Sequence, residues 1–413
     1  MRYLFCSFAA PGFLHPLVGL AAELRRRGHV VAFASSPAAG PRLAAEGIER
    51  LDDPTDDAEG FDLRLWGHPV RTRRDVLAVE RAMARFNPDA LVTHQLCQAP
   101  VIARERTGIP LAVLGLAAYL WPAVRGTPSA GGAASRRRGH LVDNVRLLNQ
   151  ARAHFRLPEV QPDASALPLL GELFLLRAVP ALVPDLAGLP RRVHAVGACR
   201  WEPAGGSVEG DALRAELAGV ETPLLYVSHG RTFGGAGFWP QLVEAFGGRE
   251  VRVVAAVGRM DQPRGEVPGN FVVLDHPPEG AVLPRAAAVL STASTTPVLA
   301  GLAHGLPNVL VPVGGEGPVL AARLAEAGCG VRLDAETLDA ATLRAAVERA
   351  FAPGPLRDAS RALGEDFARM AGFGAAADRL ERLARIGAPV LRPAVDAGVP
   401  APPRPQLAPA GAA

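Results

Sequence analysis

The sequence predicts an α/β protein made of two parallel-sheet domains. Its 413 residues, 49% of them hydrophobic, exceed what one ordinary core accommodates, so two domains are expected. In each half, short apolar runs that suit buried strands alternate with longer runs that suit helices. Strands that alternate with helices indicate βαβ units, whose parallel strands form a sheet covered on both faces.

The first half carries one series of strands and helices. We predict strands at residues 3–9, 30–34, 90–93 and 111–115, and helices at residues 16–27, 75–85 and 141–155. The helix that starts at Pro16 has apolar residues at helical spacing and ends at Gly28. The alternation of elements predicts one parallel sheet in this half.

The second half repeats the pattern after a Gly-rich stretch near residues 201–210, which is typical of a linker. We predict strands at residues 224–228, 251–257, 271–274, 286–290 and 306–312, and helices at residues 240–246, 297–304, 340–351 and 357–385. The resulting division is a first domain at 1–203, a linker at 204–221, a second domain at 222–388 and a disordered Pro/Ala-rich tail at 389–413. Two such domains place ligands in the cleft between them, beyond the carboxyl ends of the strands.

Composition and charge exclude several classes of function. The net charge of +3 is nearly balanced and gives no general case for nucleic acid binding. The four cysteines, Cys6, Cys97, Cys199 and Cys329, are far apart and indicate neither a zinc site nor a disulfide framework. No uncharged apolar run reaches the roughly 20 residues that span a bilayer, and the N-terminus lacks a signal-peptide pattern. We therefore expect a soluble cytoplasmic protein.

One turn in the second half has the chemistry of a phosphate site. A short apolar strand leads into the Ser/Thr cluster at 291–296, and a helix predicted to begin near Pro297 follows until Gly305. The free N–H groups and the positive dipole end of this helix would face the loop, whose hydroxyls also donate to phosphate oxygens.

A series of short motifs occurs in a fixed order along both halves. In the first half they are Gly12-Phe-Leu-His-Pro16, Pro88-Asp89, Leu157-Pro158 and Val196-Gly197; in the second half they are Ser228-His-Gly230, Pro277-Pro-Glu279, the turn at 291–296, Gly305-Leu-Pro307, Glu316-Gly317 and Ala321-Ala-Arg323. In order and spacing the chain resembles, over residues 1–385, the GT-B glycosyltransferases that move sugars from nucleotide donors onto small natural products, including antibiotics.

This resemblance implies a GT-B fold, in which two Rossmann-like domains face a central cleft. It implies an acceptor-binding domain at 1–203 and a nucleotide-sugar-binding domain at 222–388. The implied reaction transfers a sugar from a UDP- or TDP-sugar to a small hydrophobic acceptor, with inversion and without an essential metal or other cofactor. A homodimer or an auxiliary partner protein is compatible with the resemblance.

The chain departs from the family's pattern at four positions in the implied cleft. Phe13 stands where the catalytic histidine is usual, and His94 where its acidic partner commonly follows the Pro-Asp strand. Thr292 replaces the histidine of the phosphate-facing H-G-G motif, with Ala293 and Ser294 in place of its glycines. In the sugar-contacting pair of an acidic residue and Gln, Glu316 is present but Gly317 replaces Gln.

On the acceptor side, the candidate catalytic residues are His15 and His94. His15 precedes Pro16 at a predicted helix N-terminus, where the dipole favours the neutral imidazole that a general base requires. His94 ends a predicted strand on the cleft side and would orient His15 or act as the base. For both residues the alternative is structural: a cap or loop residue for His15, a core histidine bonded to backbone for His94. Phe13 and Leu14 are the predicted acceptor-binding residues.

On the donor side, the candidates would hold the diphosphate or the sugar. Backbone or hydroxyl groups that would face the donor are expected at Ser228, Gly230, Pro278, Thr292, Ser294, Thr295 and Thr296. Arg231 is a candidate for the missing positive charge, because a guanidinium binds phosphate in bidentate fashion. Glu316 is expected to accept hydrogen bonds from sugar hydroxyls. Arg231 and Glu316 also have an ordinary alternative as solvated surface residues.

Two other functions remain open at this point. A catalytically degenerate GT-B protein that assists a partner enzyme fits the four departures, and a nucleotide-sugar epimerase would need further acids near Glu316. The acidic turn at 52–57 is expected to be a solvated loop and not a metal site.

Overall fold

The computed structural model describes residues 1–51, 60–62, 65–116, 133–162, 168–183, 186–202, 208–229, 237–258 and 265–393, with side chains except at 133–140 and 208–209. The predicted pair of parallel sheets is confirmed within these residues. No helix in the described ranges is both long enough and apolar enough to cross a membrane.

The described part of the first half forms a seven-stranded parallel sheet. Its strands are β1 (Arg2–Cys6), β2 (Val30–Ala34), β3 (Glu49–Arg50), β4 (Ala90–His94), β5 (Leu111–Gly115), β6 (Leu173–Leu176) and β7 (Val193–Ala195). They lie in the order β3-β2-β1-β4-β5-β6-β7. The helices are α1 (Pro11–Arg26), α2 (Gly40–Ala45), α3 (Pro69–Phe86), α4 (Gln98–Thr107) and α5 (Ala133–Ala153). Every residue of β4, β5 and β6 is buried, as expected for central strands covered by helices on both faces.

The described part of the second half forms a six-stranded parallel sheet in the order β10-β9-β8-β11-β12-β13. The strands are β8 (Leu224–Ser228), β9 (Arg252–Ala256), β10 (Phe271–Leu274), β11 (Ala288–Ser291), β12 (Asn308–Leu310) and β13 (Gly330–Arg332). The helices are α6 (Val208–Ala218), α7 (Trp239–Phe246), α8 (Glu279–Val282), α9 (Thr295–Ala303), α10 (Gly317–Glu326), α11 (Ala340–Phe351), α12 (Pro355–Arg369) and α13 (Phe373–Ile386). In both sheets the fourth strand of the half, β4 or β11, lies beside the first strand, β1 or β8.

The end of the chain returns to the first sheet. Helix α13 packs on α1, where Gly19 lies directly beneath the Phe373 ring and the Trp201 side chain. Arg27 forms ion pairs with Asp378 at 2.6 Å and Glu381 at 3.2 Å across the same contact. A Cβ at Gly19 would come within 2.3 Å of Phe373, so the close approach of the two helices requires glycine there.

The structure corrects three boundaries expected from the sequence. The segment 204–221, predicted as a linker, contains α6, whose Leu213 and Leu217 are buried. Helix α13 lies inside the range 222–388 predicted for the second domain, yet its buried face packs on the first. The tail predicted as disordered from 389 begins with ordered residues, because the Val390 N–H donates to the Glu172 carbonyl at 3.1 Å. Residues 394–413 lie outside the described chain.

Apolar packing also joins the two halves directly. One cluster of buried residues includes Leu141 and Leu148 of α5 together with Leu299 of α9 and Leu324 of α10. Helix α5 of the first domain contacts α10 of the second. The two halves are therefore in direct contact, and the carboxyl ends of the two sheets approach each other.

Candidate active site

The carboxyl ends of the two sheets meet where α1 and α9 begin. A Cβ added at Gly12, in the first turn of α1, would lie 3.7 Å from the Thr296 Oγ1 atom in the first turn of α9. Both helices follow central strands, at the point where strand order reverses and where open α/β sheets bind their ligands. This is the predicted cleft, and the residues around it form the candidate site.

The turn between β11 and α9 has a strained and well-defined backbone. Ala293 has a φ of 58°, in the left-handed region that favours glycine, and its N–H donates to Ser291 Oγ at 3.2 Å. Ser294 occupies the N-cap, so α9 begins at Thr295, two residues before the predicted start at Pro297. Pro297 is the third residue of the helix. Proline is accepted there because the first-turn N–H groups have no partner within the helix.

The amino end of α9 offers backbone donors to the cleft. The Ser294 side chain makes no capping hydrogen bond, so it does not satisfy the N–H groups of the first turn. Thr296 is exposed, whereas Thr292 is 4% exposed and carries no charge. Thr295 Oγ1 donates to Glu316 Oε1 at 2.9 Å, which holds the carboxylate at the N-cap of α10 beside this turn. A hydrogen-bonded carboxylate next to an uncapped helix N-terminus suits a ligand that carries both hydroxyls and phosphate.

The other predicted donor residues lie around the same edge of the second sheet. Ser228 is half-buried at the end of β8, beside Ser291 in the neighbouring strand. His229 follows with no exposed surface, and its ring lies 4.7 Å from that of Phe238. Pro278 is the half-buried N-cap of α8. Gly230 and Arg231 fall outside the described residues, as do residues 52–57 of the acidic turn.

In the first domain, His94 is packed between aromatic rings instead of facing the cleft. Its ring stacks on Phe13 with centroids 4.4 Å apart and meets Phe8 edge-on at 4.8 Å. The backbone nitrogens of Phe8 and Leu96 lie 3.4 Å from Nε2 and 3.3 Å from Nδ1, and the one ring nitrogen that carries no proton accepts a hydrogen bond from its neighbour. Burial lowers the pKa of His94 to about 3, so the imidazole is neutral at physiological pH. The geometry fits the structural alternative, a core histidine bonded to backbone.

His15 lies elsewhere in its helix than the sequence suggested. Helix α1 begins at Pro11, so His15 is its fifth residue and lies beyond the N-terminal turn. The prediction failed because two prolines offered a helix start, and Pro16 is tolerated inside the helix near its beginning. Gly12, His15 and Gly19 follow one face of α1, and the His15 ring meets Trp201 edge-on at 5.0 Å. His15 is therefore half-buried on the face that turns toward the second domain.

The two predicted acceptor residues differ in position. Leu14 has no exposed surface and packs into the core between α1 and the sheet, which corrects its expected role in the cleft. Phe13 is half-buried, and its ring contacts that of Phe8 at 6.1 Å. Phe8 in turn lines a small pocket between the beginnings of α3 and α4, whose volume of about 10 Å³ is that of a single water molecule. The Trp66 Nε1 atom of the cavity wall is a buried donor without a described hydrogen-bond partner.

A cluster of charged residues connects the chain crossover to the second domain. Arg200 Nη2 donates to Glu279 Oε2 at 3.0 Å, and the Tyr226 hydroxyl donates to Glu279 Oε1 at 3.3 Å. Both carboxylate oxygens of Glu202 accept from the Gly280 N–H at 3.1 Å. Burial raises the pKa of Glu279, while Arg200 acts in the opposite direction. These contacts fix the crossover onto the first turn of α8, and sequence reasoning missed them.

A buried arginine at the cleft was also missed. Arg177 directly follows β6 and is 6% exposed. Its backbone N–H donates to the Gly115 carbonyl at 2.8 Å and its Nε to the Ala198 carbonyl at 3.0 Å. In the sequence, a single charged residue after the four apolar residues of β6 could have indicated a buried arginine at a strand end. It was missed because β6 was not predicted as a strand.

No metal site is formed by the residues described. No group of three or more His, Cys, Asp or Glu side chains is placed to hold an ion in those ranges.

Comparison with known proteins gives consistent matches over most of the chain. Residues 241–381 match the family described as Erythromycin biosynthesis protein CIII-like, C-terminal domain. Elloramycin glycosyltransferase ElmGT of Streptomyces olivaceus is 30% identical over 382 residues, covering 85% of this chain and 91% of that protein. Tylactone mycaminosyltransferase of Streptomyces fradiae is 29% identical over 399 residues, or 85% of each protein.

Solved structures agree with the sequence matches. The calicheamicin glycosyltransferase CalG4 has a TM-score of 0.70 at 26% identity, covering 93% of this chain and 98% of that one. The glycotransferase of kitacinnamycin has a TM-score of 0.72 at 22% identity, covering 92% and 98%, and shares the fold.

Proposed function

This chain belongs to the GT-B natural-product glycosyltransferases of family 1, and we propose that it moves a sugar from a UDP- or TDP-sugar onto a small hydrophobic acceptor with inversion. It is thus a glycosyltransferase, an EC 2.4 transferase, among relatives that make antibiotics. The alternative of a degenerate binding protein is not favoured, because the relatives are transferases.

The observation that carries this proposal is the uncapped amino end of α9 beside Glu316. We propose that the N–H groups of Thr295 and Thr296 bind the donor diphosphate, assisted by the helix dipole and nearby hydroxyls; the uncapped start of α9 supports this role. We propose that Glu316, which accepts a hydrogen bond from Thr295, also accepts hydrogen bonds from sugar hydroxyls. Because these donors stabilise the departing diphosphate without an ion, we propose that the reaction proceeds without an essential metal.

We propose His15 as the general base. It lies one turn beyond Gly12 on the face of α1 that approaches α9, whereas His94 is covered by Phe13. A base on the first domain would take the proton of the acceptor hydroxyl while the diphosphate departs toward the second. Attack from the side opposite the leaving group inverts the configuration at the anomeric carbon.

The acceptor is proposed to bind beside Phe13, the predicted acceptor residue that is half-buried on the cleft side of α1. The pocket next to Phe8 has the volume of about one water molecule, so it is too small to hold an antibiotic aglycone.

The direct test is calorimetric titration with UDP- and TDP-sugars, together with measurement of donor hydrolysis. We expect one nucleotide series to bind and to release its sugar slowly to water. Failure of every UDP- and TDP-sugar to bind would reject the proposal. Titration with uridine and thymidine shows whether the base or the diphosphate supplies the affinity.

A further inference from the structure

Arg177 is a charged side chain held at the interdomain cleft without an assigned role. It lies at the carboxyl end of β6, the edge of the first sheet that faces the second domain. The hydrogen bond from its Nε to the Ala198 carbonyl fixes the side chain, and the hydrogen bond from its backbone N–H to the Gly115 carbonyl fixes the main chain. A long side chain held in this way presents its two terminal nitrogens in one direction.

The terminal nitrogens of Arg177 have no hydrogen-bond or ion-pair partner among the residues described, although the residue is only 6% exposed. Burial lowers the pKa of Arg177 to about 10, which leaves the guanidinium charged at neutral pH. The two Nη atoms are not fully enclosed by the protein, so a ligand in the cleft can reach them. Guanidinium donors without a protein partner suit an anion that a ligand supplies.

The surroundings indicate which anion this is. Glu316 of the second domain is close enough for its carboxylate to act electrostatically on Arg177, and Thr295 joins Glu316 to the first turn of α9. The other nearby charge is Arg200, which is engaged by Glu279. Arg177 is therefore within electrostatic reach of Glu316, the residue that adjoins the helix N-terminus at which we propose that the donor diphosphate binds.

We propose that Arg177 donates hydrogen bonds from its Nη atoms to the diphosphate of the nucleotide sugar, and so supplies from the first domain the positive charge that Thr292 lacks. This inference rests on the function proposed above. The ligand proposed for Arg177 is a nucleoside diphosphate, which is the form that the donor takes once the sugar has left.

The charge is needed most in the transfer step. The acceptor oxygen forms a bond to the anomeric carbon, the acceptor proton passes to His15, and the bond from that carbon to the diphosphate oxygen breaks. The electron pair stays on the diphosphate, which becomes one charge more negative. A guanidinium contributed by the first domain would stabilise this added charge from the side opposite α9.

The test compares the affinities of UDP, TDP, uridine and thymidine for wild type, Arg177→Gln and Arg177→Lys by calorimetry. We expect Arg177→Gln to weaken diphosphate binding by roughly tenfold to 100-fold, as for other charge-assisted hydrogen bonds, while nucleoside binding stays within about twofold. Arg177→Lys keeps the positive charge but loses the bidentate guanidinium, so its diphosphate affinity should lie between those of wild type and Arg177→Gln. Arg192→Gln is the matched control, because Arg192 bonds the Gly171 carbonyl at the opposite edge of the same sheet.

Each outcome decides the proposal. Unchanged diphosphate affinity in folded Arg177→Gln would overturn it, as would equal losses for diphosphates and nucleosides. If Arg177→Gln fails to fold, Arg177→Lys decides: at least threefold weaker diphosphate binding with unchanged nucleoside binding supports the role, and wild-type affinity overturns it. If wild type itself binds neither UDP nor TDP, the proposed function fails instead.

Discussion

The ends of β4 and β11 occupy the same position in their two sheets but have opposite surroundings. Each strand lies beside the first strand of its half and leads into a helix at the cleft. At the end of β4, the ring of His94 is covered by Phe8 and Phe13 and is neutral. After β11, a left-handed Ala293 and an uncapped α9 leave backbone donors at the cleft.

This difference shows which parts of a shared topology can change independently. In our proposal the donor end relies on backbone N–H groups, which persist when side chains are replaced, and Thr292, Ala293 and Ser294 still form the turn. The acceptor end relies on side chains, and replacement by Phe13 and His94 converts it into a hydrophobic contact. Proton transfer must then use another group, which we place at His15.

The sharpest test separates the two imidazoles of the first domain. We expect His15→Ala to lower turnover by at least roughly tenfold, because a positioned base contributes about 10²–10⁴-fold. The measurement is the transfer rate at saturating donor and acceptor, with the exposed His154→Ala as control. A loss on changing His94 with normal rates in His15→Ala would reverse the assignment.

A second test acts on the donor end. The substitution Thr296→Asp places a carboxylate at the exposed amino end of α9, where it competes with the diphosphate for the same N–H groups. We expect UDP or TDP affinity to fall by about tenfold or more, while the free energy of unfolding rises by up to about 1 kcal/mol. Calorimetry and urea unfolding measure the two effects, with neutral Thr296→Asn as the matched control. Undiminished affinity in Thr296→Asp would place the diphosphate elsewhere.

The acceptor end predicts a pH dependence of stability. Because the pKa of folded His94 is about 3, only the unfolded chain takes up a proton at this residue between that value and its ordinary pKa of about 6.5. The free energy of unfolding should therefore decrease as the pH is lowered. His94 should contribute about 2 kcal/mol of the decrease between pH 7 and pH 5. His94→Phe should remove that share in urea titrations at the two pH values. An equal loss in the variant would show that His94 is not buried as a neutral group.

The smallest effect concerns the left-handed residue after β11. Ala293→Gly relieves about 1–2 kcal/mol of backbone strain but loses a buried methyl group worth about 0.8 kcal/mol and frees the unfolded chain by about 0.4–1 kcal/mol. These terms nearly cancel, so we expect the free energy of unfolding to change by less than about 0.5 kcal/mol. Ala293→Val, with a branched side chain in the same conformation, should destabilise clearly. Comparable stability of the two variants would mean that the turn relaxes.

Much of the fold could be predicted from the sequence because periodicity and glycines are local signals. With the exception of β6, the central strands were expected near their observed places, as was the helix that follows β11. Helix starts shifted where prolines were close together: α1 begins at Pro11 instead of Pro16, and α9 at Thr295 instead of Pro297. Proline is typical of the beginning of a helix, but its presence does not specify the residue at which the helix starts.

The candidate site was predictable on the donor side and less so on the acceptor side. The hydroxyl-rich turn and Glu316 lie within a few residues of an identifiable strand, so local pattern indicated them. Arg177, Arg200 and Glu279 acquire their positions only from tertiary packing between distant strands. Leu14 and Phe13 are neighbours in sequence, yet helical geometry directs one to the core and the other to the cleft side.

The return of α13 to the first sheet defines the unit that can be exchanged between related enzymes. If two enzymes are joined at a single junction near residue 204, the final helix of one packs on α1 of the other. In this protein, that contact places Phe373 against Gly19 and pairs Arg27 with Asp378. Two junctions, one before α6 and one between α12 and α13, keep that contact native. A hybrid enzyme built with the second design should fold with the stability of its parents, and one built with the first should lose the match between the two helices.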